Sequence, residues 1–285
     1  MLNKLLRTKT NDTQVFRQTS AMGEQAGHLL EEQPPRPASE ESGQRVYAQV
    51  DGSMILTREE KWKETKLGRL FHETAIYEES PKRGWIKHSD YVAHLGDHEA
   101  FEEKMSRLVD PYAGLDERLV FVTDGAKWIA AWISSEYPKA TQVLDFYHAM
   151  EHLGEFAKAH FEERLERDYW IEENRVRLKE KGVREVIQTI KQLKVESKAG
   201  KEEKKKLLTY YRKNAYRMDY PKYLEQGLLI GSGAIEAAHR TLIQRRMKLS
   251  GQRWSKEGAQ KMLDLRALHM SGRWHQIVNV LRRAA

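Results

Sequence analysis

Residues 148–226 constrain the fold more than any other stretch. They are almost wholly helix-forming, rich in Glu, Lys, Arg, Leu and Ala, with breaks at Gly182, Gly200 and Pro221, and they show neither a strand pattern nor a repeat. Composition of this kind predicts consecutive helices. The flanking sequence is different, because strand-like runs precede the block and a Gly-initiated helix follows it. A helical block lodged within an α/β chain is most simply an insertion into one domain. The chain has 285 residues and 40% hydrophobic content, enough for one large core carrying such an insertion.

Upstream of the block, "RVYAQVDGSMIL" alternates Val46, Ala48 and Val50 with Tyr47, Gln49 and Asp51, the period of a half-buried strand. "KWKETKLGRLF" and "ETAIYEES" follow at short spacing and are expected to continue an antiparallel meander. A helix is expected over residues 89–109. "RLVFVTDGA" reads as a buried strand stopping at Asp124, "AKWIAAWISSEY" as a helix that Pro138 helps to end, and "TQVLDFYH" as a short strand closing near Asp145. Downstream, Gly231 and Gly233 open a helix bearing Glu236, and "EGAQKMLDLRALHM" supplies another. Residues 33–43, "QPPRPASEESG", are proline-rich and aperiodic. The expected organisation is an N-terminal segment and flexible linker (1–44), a first core part (45–147), the helical insertion (148–226) and a second core part (227–285).

The net charge of +7 is unevenly distributed. Residues 1–150 hold 19 basic and 24 acidic side chains, residues 151–220 hold 18 and 14, and residues 221–285 hold 12 and 4. A basic excess confined to one segment is the electrostatic footprint of a polyanion partner, most commonly nucleic acid. No apolar run reaches membrane-spanning length, and the start lacks the apolar block of a signal peptide, so a soluble, unexported chain is expected, cytoplasmic and associated with the nucleoid. Without cysteine, any metal must be held by oxygen or imidazole.

Asp51 and Asp124 stand at or near the ends of predicted strands, each followed by glycine. Carboxylates so placed suit hard cations beside a ligand, although a strand-terminal Asp-Gly is also an ordinary turn. Glu236 is the one acid between Gln226 and Lys256, among Arg240, Arg245, Arg246, Lys248 and Arg253. It reads either as a first-turn glutamate, favoured by the helix dipole and by Arg240 four residues on, together worth on the order of 0.5–1.5 kcal/mol, or as a ligand. Sharing a helical side with Ile243 and Met247, it is expected to point partly toward the core.

The ordered set "QVDGSMI", "VFVTDGAKWI", "VLDFYHAMEHL" and "GSGAIEAAHRTLIQRRMKLSGQRWS", with "ALHMSGRW" near residue 270, resembles the DDE transposases of bacterial insertion sequences, specifically the ISKra-type group related to the Mutator-like superfamily. The resemblance covers roughly residues 45–275. It implies an RNase H-like mixed sheet core flanked by helices and interrupted by an all-α insertion. It also implies a catalytic triad of Asp51, Asp124 and Glu236 holding two Mg²⁺ ions, with Mn²⁺ as a substitute, for in-line displacement at phosphorus. The family's Asp/Cys-x-x-His motif falls on Asp145 and His148. His148 then donates to the scissile phosphate or orients a metal ligand, or else is a hydrogen-bonded strand-end histidine. Double-stranded DNA, as transposon ends and target, is the implied partner of Arg240, Arg245, Arg246, Lys248, Arg253 and Trp254. Trp254 can stack on or wedge against bases at a distorted DNA end, although a tryptophan in such a stretch is more often part of the core. Relatives work as oligomers on paired ends, which implies a homodimer. They also carry a longer N-terminal region, so the expectation is a truncated copy or split-frame product served by an upstream partner polypeptide.

Three other readings compete. "HAMEH" fits an HxxEH zinc protease, with His148 and His152 as ligands and Glu151 as base. An RNase H-like nuclease would cut without strand transfer. A non-catalytic DNA-binding remnant of a transposase is the third, and the presence of all three acids argues against decay at the triad.

Overall fold

The computed structural model describes residues 10–33, 44–80 and 83–284. Helix α1 (Asp12–Glu32) precedes strands β1 (Val46–Thr57) and β2 (Lys61–His72), the hairpin of β3 (Ile76–Ser80) and β4 (Arg83–Ile86), strand β5 (Asp90–Leu95) and helix α2 (His98–Val109). Next come β6 (Leu119–Thr123), α3 (Lys127–Glu136) and β7 (Thr141–Leu144). The helices α4 (Phe146–His160), α5 (Arg164–Glu180), α6 (Val183–Gln192), α7 (Lys198–Asn214) and α8 (Tyr220–Glu225) follow. After them stand α9 (Gly233–Ala238), a π-helical turn (His239–Gln244), α10 (Arg245–Met247), α11 (Lys256–Met270) and α12 (Trp274–Ala284). The chain is thus α/β, with five sheet strands of mixed sense and many helices. It divides into two compact units, Met1–Leu119 with Ala234–Ala285, and Val120–Gly233.

In the first unit β2 lies between β1 and β5, antiparallel to both. Two expectations need correction here. β1 does not stop near Asp51: the pairing runs on through Gly52↔Lys66 to Thr57↔Lys61, so the chain reverses at residues 58–60 and Asp51 sits in mid-strand opposite Leu67. Nor is the first part of β1 half-buried, since Val46 to Val50 are all buried and an alternation appears only from Asp51 onward. Both faces of the sheet are covered. On one, Gly68 lies against Met105 and Phe101 of α2, where a Cβ would come within 2.4 Å of the Met105 sulfur. On the other, Ile55, Leu67, Tyr91, Ala93 and Leu95 pack with Ile235, Leu242, Ile243 and Met247 and with Ala259 and Leu263 of α11. Burying each of these larger aliphatic side chains contributes about 1.5–3 kcal/mol.

The third strand of the meander also differs from expectation. β3 pairs only with β4 among the described strands, in a separate hairpin. The neighbour of β2 is instead β5, from a stretch expected to be helical. Gly96, at φ 130°, breaks the chain after β5, and Asp97 caps α2 by accepting from the Ala100 N–H at 2.9 Å. The open edge of β5 is closed by side chains from the end of the sequence. Gln260 accepts from the Leu95 N–H at 2.9 Å and donates to the Ala93 carbonyl at 3.1 Å, while Ser271 accepts from the Tyr91 N–H at 3.0 Å. An edge satisfied in this way offers no template for another strand.

Helix α1 belongs to the same unit, packing Ala26 and Leu29 against Leu265, Leu268 and Ile277. Arg273 donates to the carbonyls of Leu29 and Gln33, closing the end of α1. The proline-rich linker proper, residues 34–43, lies outside the described residues.

In the second unit β6 and β7 are parallel, with Val122↔Val143 and Thr123↔Leu144 paired. Phe121 packs against Trp132 and Tyr137 from α3 and its end. The phenols of Tyr220 and Tyr223, from α8, donate to the Leu144 and Gln142 carbonyls, both at 3.1 Å. Helices α4 to α8 fill residues 148–226 with no strand among them, as their composition requires. The compact unit nevertheless begins at Val120, because β6, α3 and β7 pack with the helices.

Two measurements check this packing. A Cβ on Gly23 would lie 2.5 Å from the Lys261 carbonyl oxygen, a backbone atom that cannot swing aside. Gly23→Ala is expected to force α1 off α11 and to destabilise by about 1–3 kcal/mol, read from the urea midpoint. Burial pushes the Asp90 carboxyl up to about 6, against the opposing fields of Arg273 and His88. A raised carboxyl has its full stability below its unfolded value near 4 and loses it as pH climbs through 6. Asp90→Asn should therefore gain on the parent in urea midpoint as pH rises from about 4 to 7, and an unchanged difference would refute the assignment.

Candidate active site

The candidate residues fall in both units. Asp51 and Glu236, with Arg240, Arg245, Arg246, Lys248, Arg253 and Trp254, belong to the first, and Asp124, Asp145 and His148 to the second. Among the described residues, no group of three or more His, Asp or Glu side chains is gathered for one metal ion.

In the first unit Asp51 accepts from the Gly52 N–H at 2.7 Å through Oδ1 and faces His239 Nε2 at 3.4 Å through Oδ2. His239 is 3% exposed, and neither ring nitrogen has a hydrogen-bond partner. Desolvation holds its pKa below the usual imidazole value, with Lys248 acting in the same direction and Asp51 opposing. Lys248 is likewise lowered by desolvation, again with Asp51 opposing.

Glu236 sits on α9 and is exposed, which corrects the expectation that it leans toward the core. The buried face is carried by its neighbours Ile235 and Ala238. In a regular helix Glu236 would share a side with Ile243 and Met247, but the π-helical turn between them adds a residue to the cycle and rotates everything after it. Arg266 holds that turn, donating through its guanidinium to the carbonyls of Thr241 and Leu242. Arg69 donates to the Ala234 carbonyl at 2.5 Å and fixes the start of α9.

Arg240, Arg245, Arg246, Lys248 and Arg253 are all exposed. Trp254 differs: its indole N–H donates to the Met247 carbonyl at 3.1 Å, its backbone pairs with β1, and its ring packs against the core. The geometry makes it an anchor rather than a free ring.

In the second unit the parallel strands β6 and β7 end in register, and each is followed at once by an aspartate, Asp124 and Asp145. Ligands collect outside such strand ends. Asp124 Oδ1 accepts from the Ala126 N–H at 2.8 Å. Asp145 is fully buried, accepting from the N–H groups of Tyr147 and Ser232 at 3.2 and 3.0 Å and from the Ser232 hydroxyl at 2.8 Å. It caps α4 and ties the returning chain to the strand end.

His148 is half-buried, its Nε2 3.9 Å from Asp145 and its Nδ1 3.0 Å from Glu151. Desolvation works against its protonation, but Asp145, Glu151 and Asp124 outweigh it and its pKa is raised. His152 is paired separately with Glu155 at 3.5 Å. Glu151, the base in the HxxEH reading, is thus the partner of His148.

Three further residues, two in the second unit and one in the first, stand beside these candidates. Tyr210 of α7 lies on the backbone after Asp124, where a Cβ on Gly125 would meet its ring and hydroxyl at 2.5 Å. Its ring centroid is 3.9 Å from that of His152. Desolvation pushes the phenol up to about 12, aided by Asp124, Asp145 and Glu151 and opposed by Arg217. Arg217 is 1% exposed and donates to Asn214 at 2.8 and 3.1 Å and to the Thr123 hydroxyl at 3.5 Å. Nothing in the helix-forming sequence around these two marks them. The third, His239, had a signal in the spacing Glu236-x-x-His239, which makes carboxylate and imidazole neighbours along a helical segment, the first exposed and the second buried here.

No curated protein matches the chain. A family match extends over residues 15–284, from within α1 to the end of α12, taking in both units and every candidate residue above. The segments carrying these carboxylates and imidazoles are therefore parts of one family unit, and the chain belongs to the uncharacterised protein family UPF0236.

Proposed function

We propose that the chain is a DDE transposase, cutting and joining DNA by metal-dependent phosphoryl transfer on an RNase H-like core with an all-α insertion. One observation carries this reading most directly. The segment around Glu236 presents a solitary exposed carboxylate among five exposed cations, Arg240, Arg245, Arg246, Lys248 and Arg253, while its other face packs over the sheet containing Asp51. A cationic surface interrupted by one acid suits a phosphodiester that must meet a cation as well as arginines.

The donor chemistry fits Mg²⁺ or Mn²⁺. Asp51, Asp124 and Glu236 offer only oxygen, the ligand these ions prefer, and the buried imidazole beside Asp51 lacks a hydrogen-bond partner. The ions, when bound, supply a nucleophile at neutral pH and charge stabilisation at the leaving oxygen. The protein's own side chains position the strand. Arg245 and Arg246 neutralise backbone phosphates. His148, its protonation favoured by Asp145 and Glu151, donates to a phosphate oxygen.

The test uses the purified chain, Mg²⁺, a target plasmid and labelled duplexes taken from DNA flanking its own coding region. Asp51→Asn, Asp124→Asn and Glu236→Gln should each lower joined product by on the order of 10³-fold, about 4 kcal/mol of transition-state stabilisation, with duplex binding nearly unchanged. Retained joining by Asp124→Asn would refute the triad. Cut ends without joined product would favour a nuclease on the same core. Arg245→Ala or Arg246→Ala should lower the slope of log affinity against log salt by about one unit, and an unchanged slope assigns that arginine to the solvated face.

A further inference from the structure

His239 is an unusual core residue. It is 3% exposed with both ring nitrogens buried, and its one close charged neighbour, Asp51, meets it without the full geometry of a hydrogen bond. A site that only needed filling would be served better by leucine or methionine, which carry no polar atom to desolvate. The nearest charged partner is Asp51, whose Oδ2 lies 3.4 Å from His239 Nε2, while Oδ1 is taken by the Gly52 N–H at 2.7 Å. Asp51 is itself 26% exposed at the side chain, so its carboxylate bridges the buried ring and the surface. The ring is placed by two further features. His239 opens the π-helical turn that Arg266 holds through the Thr241 and Leu242 carbonyls, and Glu236 stands three residues earlier on the same segment.

We propose that His239 is a positioning residue for the cation site, its Nε2 bracing the buried oxygen of Asp51 so that the carboxylate holds one orientation toward a divalent ion. The inference rests on the reading of Asp51 as a cation ligand. A carboxylate on a mid-strand residue rotates freely about its last bond unless something fixes both oxygens. Gly52 fixes one, and His239 is the only group described within ion-pair distance of the other among the described residues. Outer groups of this kind, when removed, typically weaken metal binding by about 10–100-fold.

The experiment is a Mn²⁺ titration of the purified chain without DNA, followed by electron paramagnetic resonance of free Mn²⁺, with thermal unfolding in chelator recorded for each variant. His239→Leu fills the volume without a donor, His239→Asn places its amide nitrogen where Nδ1 was, and His239→Gln reaches the Nε2 position. Positioning through Nε2 requires Gln to stay within about threefold of the parent Kd while Leu and Asn weaken it about tenfold or more. Equal Mn²⁺ affinity in all three, or Asn binding better than Gln, overturns the proposal, and the Gln and Asn comparison decides it should the Leu variant not fold. Asp51→Asn separates the two failures. If it abolishes Mn²⁺ binding while the His239 variants bind normally, only the role of His239 falls. If it leaves binding unchanged, Asp51 is no ligand and both readings fall.

Discussion

The guanidinium of Arg266 on the carbonyls of Thr241 and Leu242 underlies the arrangement of the first unit. A π-helical turn leaves carbonyls poorly served by its own backbone, and buried carbonyls without donors are costly. With Arg266 supplying the donors, consecutive residues Leu242 and Ile243 both reach the core. Glu236 and the exposed arginines can then lie outside while His239 turns in toward Asp51. A regular helix through the same residues would rotate the later positions and separate these roles.

Polar satisfaction by side chains from distant sequence recurs throughout the molecule. Gln260 and Ser271 close the edge of β5, Tyr220 and Tyr223 serve β7, and Arg273 ends α1. In each case a strand or helix terminus with open backbone groups is finished by a neighbour from the same unit. His239 and His94 stand apart against this background, as rings whose buried nitrogens receive no such treatment.

Much of the order of elements was legible in the sequence because it depends on local composition. The helices of residues 148–226, the strands ending at Asp124 and Asp145 and the helix after Gly125 all follow from runs of like residues and their breakers. What was not legible depends on tertiary contact. β1 runs through Asp51-Gly52 because Lys61–Thr65 pair with it, β5 is a strand because β2 and α11 flank it, and Val46–Val50 lose their alternation because both faces are covered. Among site residues, Asp51, Asp124 and Glu236 drew attention as acids beside glycine or among cations. Tyr210 and Arg217 are ordinary members of a helix-rich stretch, and only the fold brings them to the end of β6.

Asp145 binds both the beginning and the end of the helical block. It caps α4, and the same carboxylate holds Ser232, while the Phe146 N–H donates to the Ile230 carbonyl at 2.9 Å. The two ends of an excursion of more than eighty residues are thus clasped side by side. Between them, only stretches that send no side chain to the strand ends, unlike those carrying Tyr210, Arg217, Tyr220 and Tyr223, could lengthen or shorten over evolution without disturbing that geometry.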